Sequence, residues 1–414
     1  MTRSRLLTLG LHAARHDERC ILIVSMFVAA VGSYLILPYY SIHATQHLGL
    51  PLSRVAVLLT CIAVCERGIG IGGGFLVDRA GARTVIALGI ALRVVSLVML
   101  AYAETFSMLL AAALTSGSGS ALFQIGGKTL LLARADNVRS FAMRNIALNV
   151  GIAIGPLLGY PLIAHSFRTA CLLNAGLFAS ILVYSLLLPK SPAAAAAAPG
   201  APARNDIDLF SRELVFLYVT QALFFFFYTN FELTLPLFAK AHFGLFWVGM
   251  LFTINSVVVV LLSFSVARFS RRHEQSLPGG FIVLALSFGC FFGAIAAPPA
   301  WRLACYVTGV LAFSIAEVYF MLAIELQMAA QHAGAALGRI LAASAFASAL
   351  GVAAGNLVLG PAYVRAAERM PVNYWLMLAI GCLLAFAALS VARRRVRRGS
   401  IAAPRPSPEP HGTR

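Results

Sequence analysis

The stretch "CERGIGIGGGFLVDRAGAR", Cys65 to Arg83, sets a Glu-Arg pair and five crowded glycines inside apolar sequence and then ends abruptly in charge. The surrounding chain explains the combination. Of 414 residues, 60% are hydrophobic and 11% charged, against roughly 45–50% and about 25% in soluble domains. This composition implies an integral membrane protein. The short run "LLTLGL" near the N-terminus is too brief for a cleavable signal and no small-residue cleavage pattern follows it, so the first long apolar run is expected to stay in the mature chain.

About 20 apolar residues cross a bilayer core of about 30 Å. Twelve such stretches can be drawn, at 19–41, 53–77, 84–103, 106–133, 142–165, 168–188, 212–239, 245–267, 277–297, 301–328, 337–361 and 371–392. An even number puts both termini on one side. Of the 32 Lys and Arg, 23 fall on the side of the termini, 6 on the opposite side and 3 within spans. The positive-inside rule then makes the termini cytoplasmic, and the expected location is the cytoplasmic (inner) membrane. The formal net charge of +17 is scattered in short clusters between apolar runs, a pattern that fits membrane topology better than nucleic-acid binding, so no nucleic-acid partner is expected.

Six cysteines, Cys61, Cys65, Cys171, Cys290, Cys305 and Cys382, lie in apolar runs and only Cys20 sits near a boundary. No C-x-x-C spacing occurs, so they read as small packing residues. The Pro/Ala-rich segment "PKSPAAAAAAPGAPARNDIDLFSR" from Pro189 to Arg212 reads as a linker dividing the spans six and six. The expected organisation is an N-terminal tail (1–18), a six-helix bundle (19–188), a linker (189–211), a second six-helix bundle (212–392) and a basic tail (393–414). The halves echo each other: "LILPYY" and "LTLPLF" place Pro38 and Pro236 at an offset of 198, and "GIAIG" and "GVAAG" place Gly151 and Gly351 at an offset of 200. Parallel repeats of six spans are a transporter design.

The end of the opening stretch, Gly74-x-x-x-Asp78-Arg79-x-Gly81-x-Arg83, falls in the short turn between spans 2 and 3. Here the sequence resembles the major facilitator superfamily, whose signature loop has this spacing at this place. The resemblance implies an all-α integral membrane protein of twelve transmembrane helices in two six-helix pseudo-repeat bundles. It also implies that Gly74, Asp78, Arg79, Gly81 and Arg83 form a latch that breaks as the halves rock, with Gly81 allowing the tight reversal. Ala82 stands where a second basic residue is common. In span 5, Gly151-x-x-x-Gly155-Pro156-x-x-Gly159 resembles the antiporter motif of drug and metabolite exporters of that superfamily, which implies a hinge; ordinary close packing is the plainer reading. The superfamily's span-4 basic residue is replaced by Ala113, so its account of proton coupling through that Arg does not carry over. Gly68, Gly70 and Gly73 also satisfy G-x-G-x-x-G, but the strand and βαβ unit that motif needs are not indicated.

A charge near the bilayer centre costs roughly 2.5–3.5 kcal/mol on insertion scales and normally faces protein or a wet cavity. Glu66, Arg67, Arg93, Lys128, Glu232 and Glu317 occupy such positions. Neighbours Glu66 and Arg67 point about 100° apart, so at least one is expected to reach another span. Arg93 is the expected partner of Glu66, either functionally or as a static staple between spans 2 and 3. Lys128 lies about a turn from the surface and is expected to snorkel. Glu232 and Glu317 have no cation in their own spans, which makes them the leading proton-carrier candidates, with Glu66 third; a permanently neutral, hydrogen-bonded acid is the alternative for each.

Aromatics cluster in "FFFFYTNFE", Phe224 to Glu232, and near Tyr34, Tyr39 and Tyr40. Tyr34, Tyr228, Asn230, Phe231, Gln124 and Asn149 are candidates to line a midplane cavity with Arg67, Arg93 and Lys128. Three cations on one half lean toward an anionic or zwitterionic organic substrate. The i, i+4 pairs His12/His16 and His43/His47 lack further ligands nearby, so no metal site and no cofactor are expected. His12-x-x-x-x-Asp17 matches an acyltransferase dyad by spacing, but sits in a short tail with no domain to shape a pocket, so an enzyme is not expected. The resulting expectation is a monomeric, proton-coupled exporter of a small organic compound, such as a drug or a secreted metabolite, working by alternating access. Import by symport or uniport on the same fold is the alternative.

Overall fold

The computed structural model describes the backbone of residues 3–132, 137–186, 208–270, 274–331, 335–369 and 371–402. It describes the side chains of 20–69, 75–130, 143–185, 208–262, 277–328, 339–366 and 373–396. Most of the 189–211 linker, the side chains of residues 1–19 including His12, His16 and Asp17, that of Gly74, and residues 403–414 lie outside these ranges. Among the described residues the regular structure is entirely helical: α1 (Arg3–Ile42), α2 (Leu52–Ala80), α3 (Ala82–Ala101), α4 (Phe106–Leu132), α5 (Asn137–His165), α6 (Phe167–Leu186), α7 (Arg212–Glu232), α8 (Thr234–Phe243), α9 (Leu245–Ser270), α10 (Gly280–Ala296), α11 (Pro299–Gln331), α12 (Ala335–Arg369) and α13 (Pro371–Ala402).

Among the described residues, eleven stretches are long and apolar enough to cross a membrane. The 29-residue α2 lies between the first two of them and completes twelve spans. The chain is a multi-pass, all-α membrane protein. Span 7 is made of two pieces, α7 and α8, so α9 to α13 are spans 8 to 12. Large apolar side chains such as Leu158, Val183, Leu261, Leu286 and Leu384 are exposed on its outside, as expected where the neighbouring solvent is lipid.

Helix packing repeats between the halves. In the first half α1 packs on α5 and α6, α2 on α4, and α3 on α4 and α6. In the second, α7 packs on α12 and α13, α9 on α11, and α10 on α11 and α13, which is the same set displaced by six spans. The halves meet through α2 against α12 and α5 against α9, two contacts that the displacement exchanges.

The seams within each half rest on small residues. A Cβ on Gly151 would meet the Phe27 carbonyl oxygen at 2.7 Å, and one on Gly155 the Val31 oxygen at 2.6 Å. Gly159 lies equally tight on Leu35. One turn apart, these glycines let α5 lie on the α1 backbone. Gly351 and Gly355 do the same for α12 against Ala222 and Phe226 of α7. The glycine seam of span 5 thus recurs in span 11, while Pro156 has Asn356 at the matching place.

Two local features set the site's geometry. Gly81, at φ +80°, is the whole corner between α2 and α3, and its N–H bonds to the Val77 carbonyl at 2.8 Å. Pro236 has no N–H to offer the Glu232 carbonyl four residues back, and span 7 breaks there. Leu233 takes φ −101°, ψ −59° between α7 and α8. The sequence reading drew this span as one helix ending at residue 239; it reaches Phe243. At the C-terminus α13 runs on through the Arg393–Arg398 cluster to Ala402 instead of stopping near 392, and likewise α1 starts at Arg3 inside the expected tail. Ala, Arg and Leu are strong helix formers, so neither helix needs to end where the apolar run ends.

Candidate functional site

Span 2 carries the first two charges. Glu66 turns within its own half toward α4, where its Oε1 accepts hydrogen bonds from Ser120 Oγ at 2.8 Å and Gln124 Nε2 at 2.6 Å. Arg67, about 100° further round the helix, turns to the other half. Its guanidinium lies 4.8 Å from the centroid of the Phe225 ring on α7.

The second half answers with two carboxylates. Glu232, the last residue of α7, is in electrostatic contact with Arg67 and Glu66. Glu317 on α11 accepts a 2.6 Å hydrogen bond at Oε2 from Asn255 Nδ2 of α9, and the Tyr228 hydroxyl also bonds to its carboxylate. Ser314, one turn before Glu317, takes a second bond from Asn255 at 3.1 Å. Tyr34 of α1 sits within electrostatic reach of Glu66, Arg67, Glu232 and Glu317 together. The ring of Tyr34 is 6.0 Å from that of Phe252, so α1 touches α9 at the same level. Glu66, Arg67, Gln124, Tyr34, Tyr228, Glu232 and Glu317 are all half-buried rather than sealed.

Other charges and polar groups named from the sequence go elsewhere. Arg93 donates to Ser116 of α4 and, at 2.8 Å, to Ser33 of α1, and lies 4.9 Å from the Phe178 ring centroid. Its side-chain hydrogen bonds among the described residues thus run to hydroxyls rather than to Glu66, whose field it nevertheless feels. Lys128 is exposed toward the side of the termini, in electrostatic contact with Arg144 and with Glu325 of the other half. Asn149 bonds within its own helix, Nδ2 to the Asn145 carbonyl at 2.9 Å.

Asn230 is fully buried: its Oδ1 accepts from Tyr374 and Thr234, and its Nδ2 donates to Phe227. Phe231 is buried among Tyr228, Phe252 and Phe313. Both belong to the core of the second half, not to an open wall. Asp78 and Arg79 are exposed at the end of α2, with Arg79 over its neighbour Phe75, and Arg83 is half-buried at the start of α3. The Pro156 carbonyl accepts the Tyr39 hydroxyl at 2.8 Å.

Among the described residues, three side-chain hydrogen bonds join the halves. Thr253 donates to the Ala153 carbonyl at 2.8 Å, Asn356 donates to Thr60 at 3.3 Å, and Lys240 donates to Gln46. Tyr160 and Phe246 add a ring contact at 5.8 Å. All lie level with the carboxylates or beyond them, away from the termini. The polar partners Ser120, Asn255 and Ser314 were not singled out from the sequence. Ser116, Ser120 and Gln124 do, however, recur every four residues along span 4, a one-face polar stripe that marks where buried charges will point.

Residues 22–352 match the family model described as Major Facilitator Superfamily. A multidrug resistance protein MdtH of Aeromonas hydrophila is 27% identical over 308 residues, covering 72% of this chain and 77% of the relative. An MdtH of Escherichia coli is 26% identical over 286 residues, covering 66% and 70%. Among solved structures, the nucleoside transporter NupG superposes with a TM-score of 0.74 at 14% identity over 91% of this chain and 99% of that one. A POT family transporter in complex with 5-aminolevulinic acid gives 0.74 at 13% over 91% and 96%.

Proposed function

The chain belongs to the major facilitator superfamily, and on that premise we propose that it exports a small organic compound across the inner membrane in exchange for protons. Both termini face the cytoplasm in this reading. One observation carries the proposal: Glu66 and Arg67 of the first half meet Glu232 and Glu317 of the second around Tyr34, where the halves touch and the carboxylates stay partly accessible. The multidrug resistance relatives favour export and a drug-like substrate.

The placement of the cations changes the substrate class. The sequence leans toward an anionic or zwitterionic compound because Arg67, Arg93 and Lys128 share one half. Arg93 faces α1 and α4, Lys128 lies at the mouth, and among the described residues the cluster keeps three carboxylates and one guanidinium. Such a surface attracts cations, with Tyr34 and Tyr228 supplying ring faces that suit them. An organic cation or zwitterion and a proton then compete for the same carboxylates. Competition of this kind yields exchange: the substrate leaves outward as protons bind, and the protons leave inward as the next substrate binds.

The seams support a reading of alternating access. The glycine-lined contacts α1 on α5 and α7 on α12 hold each half together, while α2 on α12 and α5 on α9, the contacts between the halves, are the ones assigned to open and close. Latch residues Gly74, Asp78, Arg79, Gly81 and Arg83 are assigned to the rocking step, and Gly151, Gly155, Pro156 and Gly159 to the hinge. The test is transport in everted vesicles with an inward-acidic gradient. Uptake of a fluorescent organic cation, with collapse of the gradient, supports export; substrate moving with the proton in the same direction overturns it in favour of import by symport.

A further inference from the structure

We propose that a second site, separate from the carboxylate cluster, holds a chloride-sized monoanion on Arg93 inside the first half. A cavity of about 60 Å³ lies among α1, α2, α3 and α4, lined by Ser33, Tyr40, Arg93, Ser96 and Ser116 together with apolar side chains such as Leu97 and Leu100; the Ser96 hydroxyl is already given to the Arg93 carbonyl. A buried water needs at least about 10–15 Å³ measured this way, so the space takes a small anion with part of its hydration, and nothing as large as a drug. Two of the five N–H groups of Arg93 are accounted for by Ser116 and Ser33, both neutral. The carboxylate that Arg93 feels, Glu66, gives its Oε1 to Ser120 and Gln124 instead. The second, independent observation is Tyr40. It is 5% exposed and lines the same cavity, and among the described residues its hydroxyl has no hydrogen-bond partner.

A guanidinium without a bonded counter-ion and an orphan phenol facing one mainly apolar pocket are both costly arrangements, and each is relieved by one anion accepting from both. Ser33 and Ser116, already acceptors for Arg93, fix the guanidinium plane so that its remaining N–H groups are preorganised. Tyr40 and Leu100 lie toward the ends of α1 and α3 away from the termini, so the ion exchanges with that side. Its charge neutralises Arg93 and leaves the Glu66 carboxylate to the transport cluster.

The experiment uses the full chain in detergent, with thermal unfolding followed against chloride at ionic strength held constant with gluconate. Saturable stabilisation by chloride and bromide but not gluconate is expected. Y40F, which keeps every packing atom of the ring, should raise the half-saturating chloride concentration about tenfold, the size of one lost hydrogen bond to a charged group. R93Q should abolish the response. Equal stabilisation by chloride and gluconate, or a Y40F response matching the parent's, overturns the site and leaves the cavity to water.

Discussion

Asn255 Nδ2 donates to Glu317 Oε2 at 2.6 Å and so ties α9 to the carboxylate of α11. An amide N–H can donate but never accept, so this bond favours the ionised carboxylate and weakens when Glu317 takes up a proton. A proton arriving at Glu317 is thereby felt on α9, the helix that faces the first half through α5. E317Q removes the titration while keeping the shape. It should lower gradient-driven transport by about 100-fold or more, while exchange without a gradient persists at saturating substrate with a half-saturating cation concentration about tenfold higher. Counterflow in proteoliposomes measures the second quantity.

Arg67 should act as the brake on cation affinity. Its guanidinium sits on Phe225 and in the field of Glu232, so R67Q makes the cluster more negative. Binding of an organic cation should tighten by about tenfold, roughly 1.4 kcal/mol, with slower turnover because release becomes harder. An anionic test compound should lose affinity in the same variant. Equilibrium binding with a matched cation and anion pair checks both signs.

The glycine seam gives a stability prediction with opposite signs at two positions. A Cβ at Gly155 would lie 2.6 Å from a backbone oxygen of α1, whereas one at Gly176 meets nothing within 4 Å. G155A should destabilise by about 1–3 kcal/mol through forced separation of α1 and α5. G176A should stabilise by about 0.4–1 kcal/mol through the unfolded chain. Thermal unfolding of the two variants side by side decides it.

Much of this fold was legible in the sequence, for physical reasons that particular residues display. Apolar runs of about 20 residues have one common use, so the number of spans was readable; the offset shared by Gly151 and Gly351 turned out to mark two equivalent seams, on α1 and on α7. The break at Leu233 was less legible, because Pro38 sits inside an unbroken α1 while Pro236 accompanies a split helix. Which way a charge points was the least readable. Glu66 and Arg93 lie at compatible depths, yet Ser120 and Gln124 take the one and Ser116 and Ser33 the other. Hydrophobic pattern fixes depth and says little about rotation when a helix is apolar all round. Asn230 shows the same limit: a polar residue beside Glu232 looked like a cavity wall and instead closes a knot with Tyr374 and Thr234.

The contacts between halves predict a trap. Lys240 bonds to Gln46 across them on the side away from the termini. In a background with the seven native cysteines replaced, Q46C/K240C joined by a short bifunctional thiol reagent should cut transport by at least about 90%. Substrate binding from the side of the termini should persist. Full transport in the cross-linked protein would show that this contact does not open in the cycle.

The central claim is that protons and substrate exchange at one set of carboxylates. It is tested most directly by recording proton flux with a pH-sensitive dye inside proteoliposomes while a cationic substrate is added. The account predicts substrate-dependent proton movement opposite to the substrate, lost in both E317Q and E232Q. Substrate transport with no proton movement, or proton movement unchanged in both variants, would contradict it.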